Sequence, residues 1–187
     1  MSVVTPVYNA ERFILETIAS VRAQTLEDWE QIVVDDCSTD DSPELIAAQA
    51  AKDPRIRVIR HDRNLGVAAA RNTAFENARG RYVAFLDSDD MWRPLKLERQ
   101  VEFMRHGGFA FSYHQYRCID ETGALISPEP LWMPRSTDYE SYLGWIGTIG
   151  NISVMLDCDQ TGPLHLDRDC PTALARADRR RTAISRR

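Results

Sequence analysis

Arg81-Tyr82-Val83-Ala84-Phe85-Leu86-Asp87-Ser88-Asp89-Asp90 runs from an apolar segment straight into three closely spaced carboxylates. Residues 82–86 read as a buried strand, so the acidic run stands at the mouth of a sheet. Asp87 and Asp89 are one residue apart, and on an extended or turning backbone both side chains reach one hard cation. Their mutual repulsion is costly without it. The competing reading is an acidic strand-to-helix turn, with one Asp, such as Asp90, capping a helix opened by Pro94.

Upstream of this run, short β-rich segments alternate with helical patterns, the grammar of a parallel α/β sheet with crossover helices. Strands are expected at 1–5, 31–34, 55–60 and 82–86. Helices are expected at 10–24, where Ile14, Ile18 and Val21 recur at helical spacing, at 44–52 behind a Ser42 cap and Pro43, and at 67–78 with Gly80 as a left-handed cap. Leu97, Val101 and Met104 mark a further helix that Gly107 and Gly108 end. The pattern then changes. Strands at 109–119 and 124–126 flank an Asp120-Glu121-Thr122-Gly123 turn, followed by a loop at 127–134, a short helix near 139–146 and a strand at 151–156. The pattern divides the chain into a regular α/β half (1–108), a second stretch (109–158) and an irregular basic tail (159–187).

The 187 residues, 43% hydrophobic and 27% charged, suit one soluble domain. A net charge of −5 argues against a general nucleic-acid binder. Cys37, Cys118, Cys158 and Cys170 show no zinc-ligand spacing, so a reduced, cytoplasmic setting is expected. No apolar run approaches the roughly 18 to 20 residues of a membrane span, and the N-terminus has no signal-peptide pattern.

In open α/β sheets ligands gather at the carboxyl ends of the strands. Those ends here deliver Thr5-Pro6-Val7-Tyr8-Asn9, then Asp35-Asp36-Cys37-Ser38-Thr39-Asp40, then residues 61–66, then Asp87-Ser88-Asp89-Asp90. Carboxylates, an aromatic ring and small polar groups in that arrangement suit a nucleotide held by hydrogen bonds, stacking and metal-bridged phosphates. An Asp-Asp pair at a strand end also suits a receiver-type phosphorylation site, but the later sequence lacks that fold's pattern.

These four runs, in this order, resemble the family 2 glycosyltransferases, inverting enzymes with a GT-A nucleotide-sugar fold. The likeness covers residues 2–156. It looks closest to enzymes of teichuronic-acid and related surface-polysaccharide synthesis. The resemblance implies a Rossmann-like, mostly parallel mixed sheet flanked by helices and incomplete at its C-terminus. It also implies a nucleoside-diphosphate sugar donor, UDP-linked, and a saccharide or lipid-linked acceptor, with residues 1–108 as the donor-binding half and 109–158 as the start of the acceptor-side half. By the same resemblance Thr5, Pro6, Tyr8 and Asn9 lie beside the base. Asp36 accepts from the uracil ring and Asp35 supports its loop, while Asn64, Gly66 and Arg71 form the next block. Asp87-Ser88-Asp89 corresponds to the D-x-D element, with Asp89 on Mg2+ or Mn2+ and Asp87 at the ribose or a metal-bound water. Trp92 covers the donor or packs under the loop.

The resemblance breaks near the C-terminus. The family's base is an Asp followed about one helical turn later by Trp. Arg176-Ala177-Asp178 falls in that region, making Asp178 the candidate base, but Arg179-Arg180-Arg181-Thr182 stands where the Trp belongs. The Ala/Arg bias after residue 170 is that of a frameshifted or truncated chain. Two rival expectations follow: a nucleotide-sugar-binding pseudoenzyme or inactive fragment, or a basic tail that docks peripherally on the anionic inner face of the membrane. A nucleotidyltransferase is disfavoured, since the N-terminus has no Gly-rich loop with a basic residue for triphosphate.

Overall fold

All six residues of β1 (Ser2–Val7) are buried, which marks it as a central strand rather than an edge. The computed structural model describes residues 1–120, 122–126, 150–162 and 165–166. β1 is followed by α1 (Ile14–Arg22), β2 (Glu30–Asp35), α2 (Ser42–Ala50), β3 (Ile56–Arg60), α3 (Val67–Asn77), β4 (Tyr82–Phe85) and α4 (Lys96–Gly107). Beyond them come β5 (Phe111–Ser112), a 3-10 turn (Asn151–Ser153), β6 (Met155–Asp157) and α5 (Cys158–Thr161). The sheet order is β3-β2-β1-β4-β6-β5. The first four strands are parallel, β6 lies antiparallel to β4, and β5 antiparallel to β6. Chain order reverses between β1 and β4, so the crevice at their carboxyl ends is the switch point where ligands bind in such sheets.

The two faces of the sheet are covered unequally. Ile14, Ile18, Val21, Ile46, Leu97 and Met104 from α1, α2 and α4 pack on Val3, Val33, Ala84 and Met155. On the other face α3 packs Ala70 and Ala74 against Val4, Ile32, Val34 and Val83. The small alanines let α3 approach the sheet closely, which is why even Arg71 and Asn72 on this helix are buried.

Several local expectations are corrected. Ser42 does not cap α2; it is the first helical residue, and its hydroxyl accepts from Ala10 N at 2.9 Å, tying α2 to the entry of α1. Residues 11–13 form a turn, with Ala10 O accepting from both Phe13 and Ile14 N, so α1 starts later than its apolar spacing implied. Gly80 is not in a left-handed conformation. Its role is steric, since a Cβ there would sit 2.5 Å from the Met1 backbone. The helix stop at Gly107 and Gly108 holds, with Gly108 at φ 63°. The strand expected over 109–119 shrinks to Phe111–Ser112 plus a bridge between Ile119 and Leu125, because only that short piece meets β6. Residues 151–153 are a 3-10 turn, so the following strand is confined to 155–157. The loop at 127–134, the helix near 139–146 and residues 167–187 of the tail, Asp178 among them, lie outside the described residues; the start of the tail is not irregular, since residues 159–161 belong to α5 and Leu166 is buried, its backbone bonded to the Asn72 side chain. Among the described residues no helix is long and apolar enough to cross a membrane.

Candidate functional site

The carboxyl ends of β1 and β2 interlock. Asp36 N donates to Val7 O at 2.8 Å, Asn9 N to Ser38 Oγ at 3.0 Å, and Thr39 N to Asn9 Oδ1 at 2.9 Å. Asn9 adopts a left-handed backbone (φ 52°), a conformation that Asn tolerates better than most residues. This turn leaves Tyr8 51% exposed at the crevice, its ring available for stacking. Thr5 is different. It is fully buried and its hydroxyl accepts from Gln31 Nε2 at 3.0 Å, so its side chain braces the strand behind Tyr8. Pro6 is likewise buried within β1, opposite Val34.

Asp35 is 1% exposed and supports its loop, accepting from Ser38 N at 3.1 Å and lying 3.1 Å from Arg60 Nε in an ion pair. Asp36 is the hub of a larger network. Its Oδ1 meets His61 Nδ1 at 2.7 Å and Leu65 N at 2.9 Å, and its Oδ2 accepts from Gly66 N at 2.7 Å. An ionised carboxylate only accepts, so His61 Nδ1 carries the proton that faces it; His61 Nε2 meets Thr73 Oγ1 at 2.9 Å. Asn64 Oδ1 adds a second acceptor for Gly66 N at 3.1 Å. Gly66 is needed for its φ of 86° and not for space, because a Cβ there would meet nothing within 4 Å. Asp36 thus knits β2, β3 and the start of α3 into one wall, its side chain only 4% exposed.

The acidic run completes the crevice. Leu86 N donates to Val4 O at 3.0 Å, Asp90 N to Asp87 O at 3.1 Å, and Thr17 Oγ1 to Ser88 O at 2.9 Å, which fixes the run as a tight turn beside β1. Arg71 Nη2 donates to Asp87 Oδ1 at 2.6 Å from a guanidinium only 4% exposed, while the Asp87 side chain is 32% exposed. Asp89 is exposed. Asp90 is half-buried, and burial first, then repulsion from Asp87 and Asp89, pushes its carboxyl up to about 7. No carboxylate here caps a helix. Leu95 is the N-cap of α4 without a side-chain bond, and the helix starts two residues after Pro94, so the capping reading is corrected. Trp92 is buried and donates from Nε1 to Ile152 O at 2.9 Å; it packs under the loop instead of covering a ligand.

Negative charge crowded at a strand mouth, with one cationic side chain on one oxygen, fits a hard divalent cation. Among the described residues no three His, Cys, Asp or Glu groups gather into a full metal cage. That donor set suits Mg2+ or Mn2+, which take one or two carboxylates and complete their shell with phosphate oxygens and water. Asp89, with Asp87 beside it, would hold such an ion.

Three residues in these networks had no assigned role from sequence. His61 stood in the third strand-end run, where its position just after β3 was the signal. Thr73 gave none, being one polar residue on a helix. Asn151 also gave none: its side-chain oxygen accepts from Arg71 Nη1 and Nη2 at 3.2 and 3.0 Å in the amide orientation that its surroundings favour.

The family model described as Glycosyl transferase family 2 matches residues 2–155. TuaG of Bacillus subtilis (strain 168), named for teichuronic acid biosynthesis, is 43% identical over 166 residues, covering 89% of this chain and 65% of TuaG. The Escherichia coli UDP-Glc:alpha-D-GlcNAc-diphosphoundecaprenol beta-1,3-glucosyltransferase WfgD is 37% identical over 160 residues, covering 84% of this chain and 60% of WfgD. Among solved structures, S. aureus TarS 1-349 in complex with UDP aligns with a TM-score of 0.56 at 31% identity, over 59% of this chain and 33% of that one. The mannosyltransferase PcManGT of Pyrobaculum calidifontis, solved with GDP-Man and Mn2+, shares the fold at a TM-score of 0.66 and 20% identity, over 92% of this chain and 48% of that one. The chain spans less than two thirds of the length of each of these relatives. The family match runs from β1 into β6, through every strand end that lines the crevice, and the chain belongs to glycosyltransferase family 2, with the GT-A fold.

Proposed function

We propose that the chain binds a UDP-linked sugar at the β1/β4 crevice and passes the sugar, with inversion, to a saccharide or lipid-linked acceptor in surface-polysaccharide synthesis. The observation that carries this reading is the switch point itself, where an exposed Tyr8, the Asp36 wall and the acidic run face one crevice. Tyr8 stacks on the base and Asp36 Oδ2 accepts from the uracil N–H. Asp87, steadied by Arg71, reaches a metal-bound water, and Asp89 faces the diphosphate. Mg2+ or Mn2+ at Asp89 supplies the positive charge that stabilises the departing diphosphate. Support for a UDP donor comes from TarS, solved with UDP, and from WfgD, whose name carries UDP-Glc and a diphosphoundecaprenol acceptor. In this reading residues 1–108 grip the donor, the later residues face the acceptor, and the chain works in the cytoplasm.

The acceptor hydroxyl needs a base on the face opposite the leaving group. Asp157, from the acceptor-side segment, is not placed for it: it is buried, bonded to Arg81 at 2.7 Å, and paired with Tyr82 at the opposite end of β4. Asp178 is the sequence candidate for that base. The same observation favours a second reading, a nucleotide-sugar binder without transferase activity. UDP titration with Mn2+, followed by donor-hydrolysis and transfer assays on wild type, Asp89→Ala and Asp178→Asn, separates the two. Metal-dependent binding lost in Asp89→Ala, with wild-type turnover lost in Asp178→Asn, supports the enzyme; binding without any turnover supports the binder. Absence of metal-dependent UDP binding in wild type overturns both.

A further inference from the structure

Arg71 is a buried cation with few partners. Its Nη2 holds Asp87 Oδ1 at 2.6 Å, its Nη1 and Nη2 share the Asn151 oxygen, and its Nε meets no acceptor among the described residues. The stem is fixed in α3 against the sheet, so among the described residues two groups decide where the charged fork sits. One belongs to the acidic run. The other belongs to the 3-10 turn that leads into β6, a segment remote in sequence from the donor-side residues.

A guanidinium facing one carboxylate tends toward a bidentate pair, with two parallel N–H···O bonds. That pairing at Asp87 would engage both of its oxygens. Asn151 competes for the fork by accepting from both Nη groups, and Arg71 donates to Oδ1 of Asp87, leaving the second oxygen of Asp87 to other partners. We propose that Asn151 is a positioning residue for the divalent-cation site, acting through Arg71 on Asp87. The inference rests on the reading of the acidic run as the metal and diphosphate site. It also gives the acceptor-side segment a direct hold on the donor side.

The test is calorimetric titration of UDP into the full chain with saturating Mn2+ and without metal, for wild type, Asn151→Ala and Asn151→Asp. The expected result is a loss of about tenfold in UDP affinity for Asn151→Ala with Mn2+ present, the size usual for groups that orient metal ligands. Metal-free UDP binding is unchanged, and Asn151→Asp, which keeps an oxygen at the same reach, recovers most of the loss. Equal losses with and without Mn2+ would mark a merely structural role and overturn the proposal, as would full metal-dependent affinity in Asn151→Ala. If thermal unfolding shows that Asn151→Ala does not fold, Asn151→Ser, whose hydroxyl is too short to reach Arg71, takes its place with the same expectation. Wild type without metal-dependent UDP binding would overturn the metal-site reading and this inference together, whereas the first two outcomes overturn the inference alone.

Discussion

Cys37 holds a left-handed backbone at φ 64° in the loop after β2, and its thiol makes only a 3.7 Å contact with Asp62 O. A non-glycine residue costs roughly 1–2 kcal/mol in that conformation, and glycine returns part of the gain as chain entropy. Cys37→Gly is therefore expected to stabilise the fold by about 0.5–1 kcal/mol, read as a higher urea midpoint. Asp53 gives a pH-dependent counterpart. The Arg55 side-chain hydrogen bond, reinforced by the Arg55 backbone N–H and the charges of Arg55 and Arg22 against opposing burial, holds its carboxyl at about 2. With a folded value below the unfolded one near 3.9, this contribution is present above pH ~4 and is lost as the pH falls toward about 2. Arg55 is 39% exposed, so solvent screening limits the effect; Asp53→Asn should cost about 1 kcal/mol at pH 7 and flatten the acid limb of the stability curve. At this scale the sequence was legible for residue type and not for partnership. Asp36 and Arg71 stood out, yet His61 and Asn151 reach them from other elements, with Thr73 behind His61, and local spacing carries no record of such contacts.

Elements were easier to read, because burial imposes a period on the chain. β1 to β4 and their crossover helices follow the expected order, and α4 ends at its glycines. Errors fell where several residues compete for one job. Asp40, Asp41 and Ser42 are all cap-forming types, and the structure spends Ser42 on Ala10 and Asp40 on the Ser42 N–H, leaving Asp41 as an N-cap without a side-chain bond. The run after residue 109 has strand-forming residues, but a strand also needs a neighbour, and only Phe111 and Ser112 find one in β6. Gly80 likewise looked like a cap, although its requirement is the passage of Met1 and Ser2 across it. Gly80→Ala places a Cβ 2.5 Å from the Met1 backbone, where no flexible side chain can yield. The expected cost is about 2–3 kcal/mol in a urea unfolding curve, the upper range for overpacking.

At the scale of the whole molecule, a ligand that binds only the folded chain adds to its stability. UDP with Mn2+ at about 100 times its dissociation constant adds about 2.7 kcal/mol, a rise of roughly 5–10 °C in the unfolding temperature for a chain of this size. Asp89→Ala should keep the ligand-free midpoint and lose most of that rise in a thermal shift experiment. The parallel sheet and the gathering of functional residues at its strand ends were legible in the sequence, since both follow from alternating strands and crossover helices, whereas the strand order that makes β1 and β4 the switch point was not. The antiparallel insertion of β6 was not, because nothing in its three residues records which strand they will pair with.

That insertion has a consequence for how such chains can be recombined. The strand carrying the acidic run lies between β1 from the first half and β6 from the second. A chain cut after Gly108 would leave β4 with a bare, apolar hydrogen-bonding edge and is expected to self-associate in size-exclusion chromatography. The segments before and after α4 are therefore not exchangeable cassettes. A chimera that exchanges the later segment must keep β6 in register with Tyr82, Val83 and Ala84, so the workable crossover lies beyond Asp157, not at the apparent seam after α4.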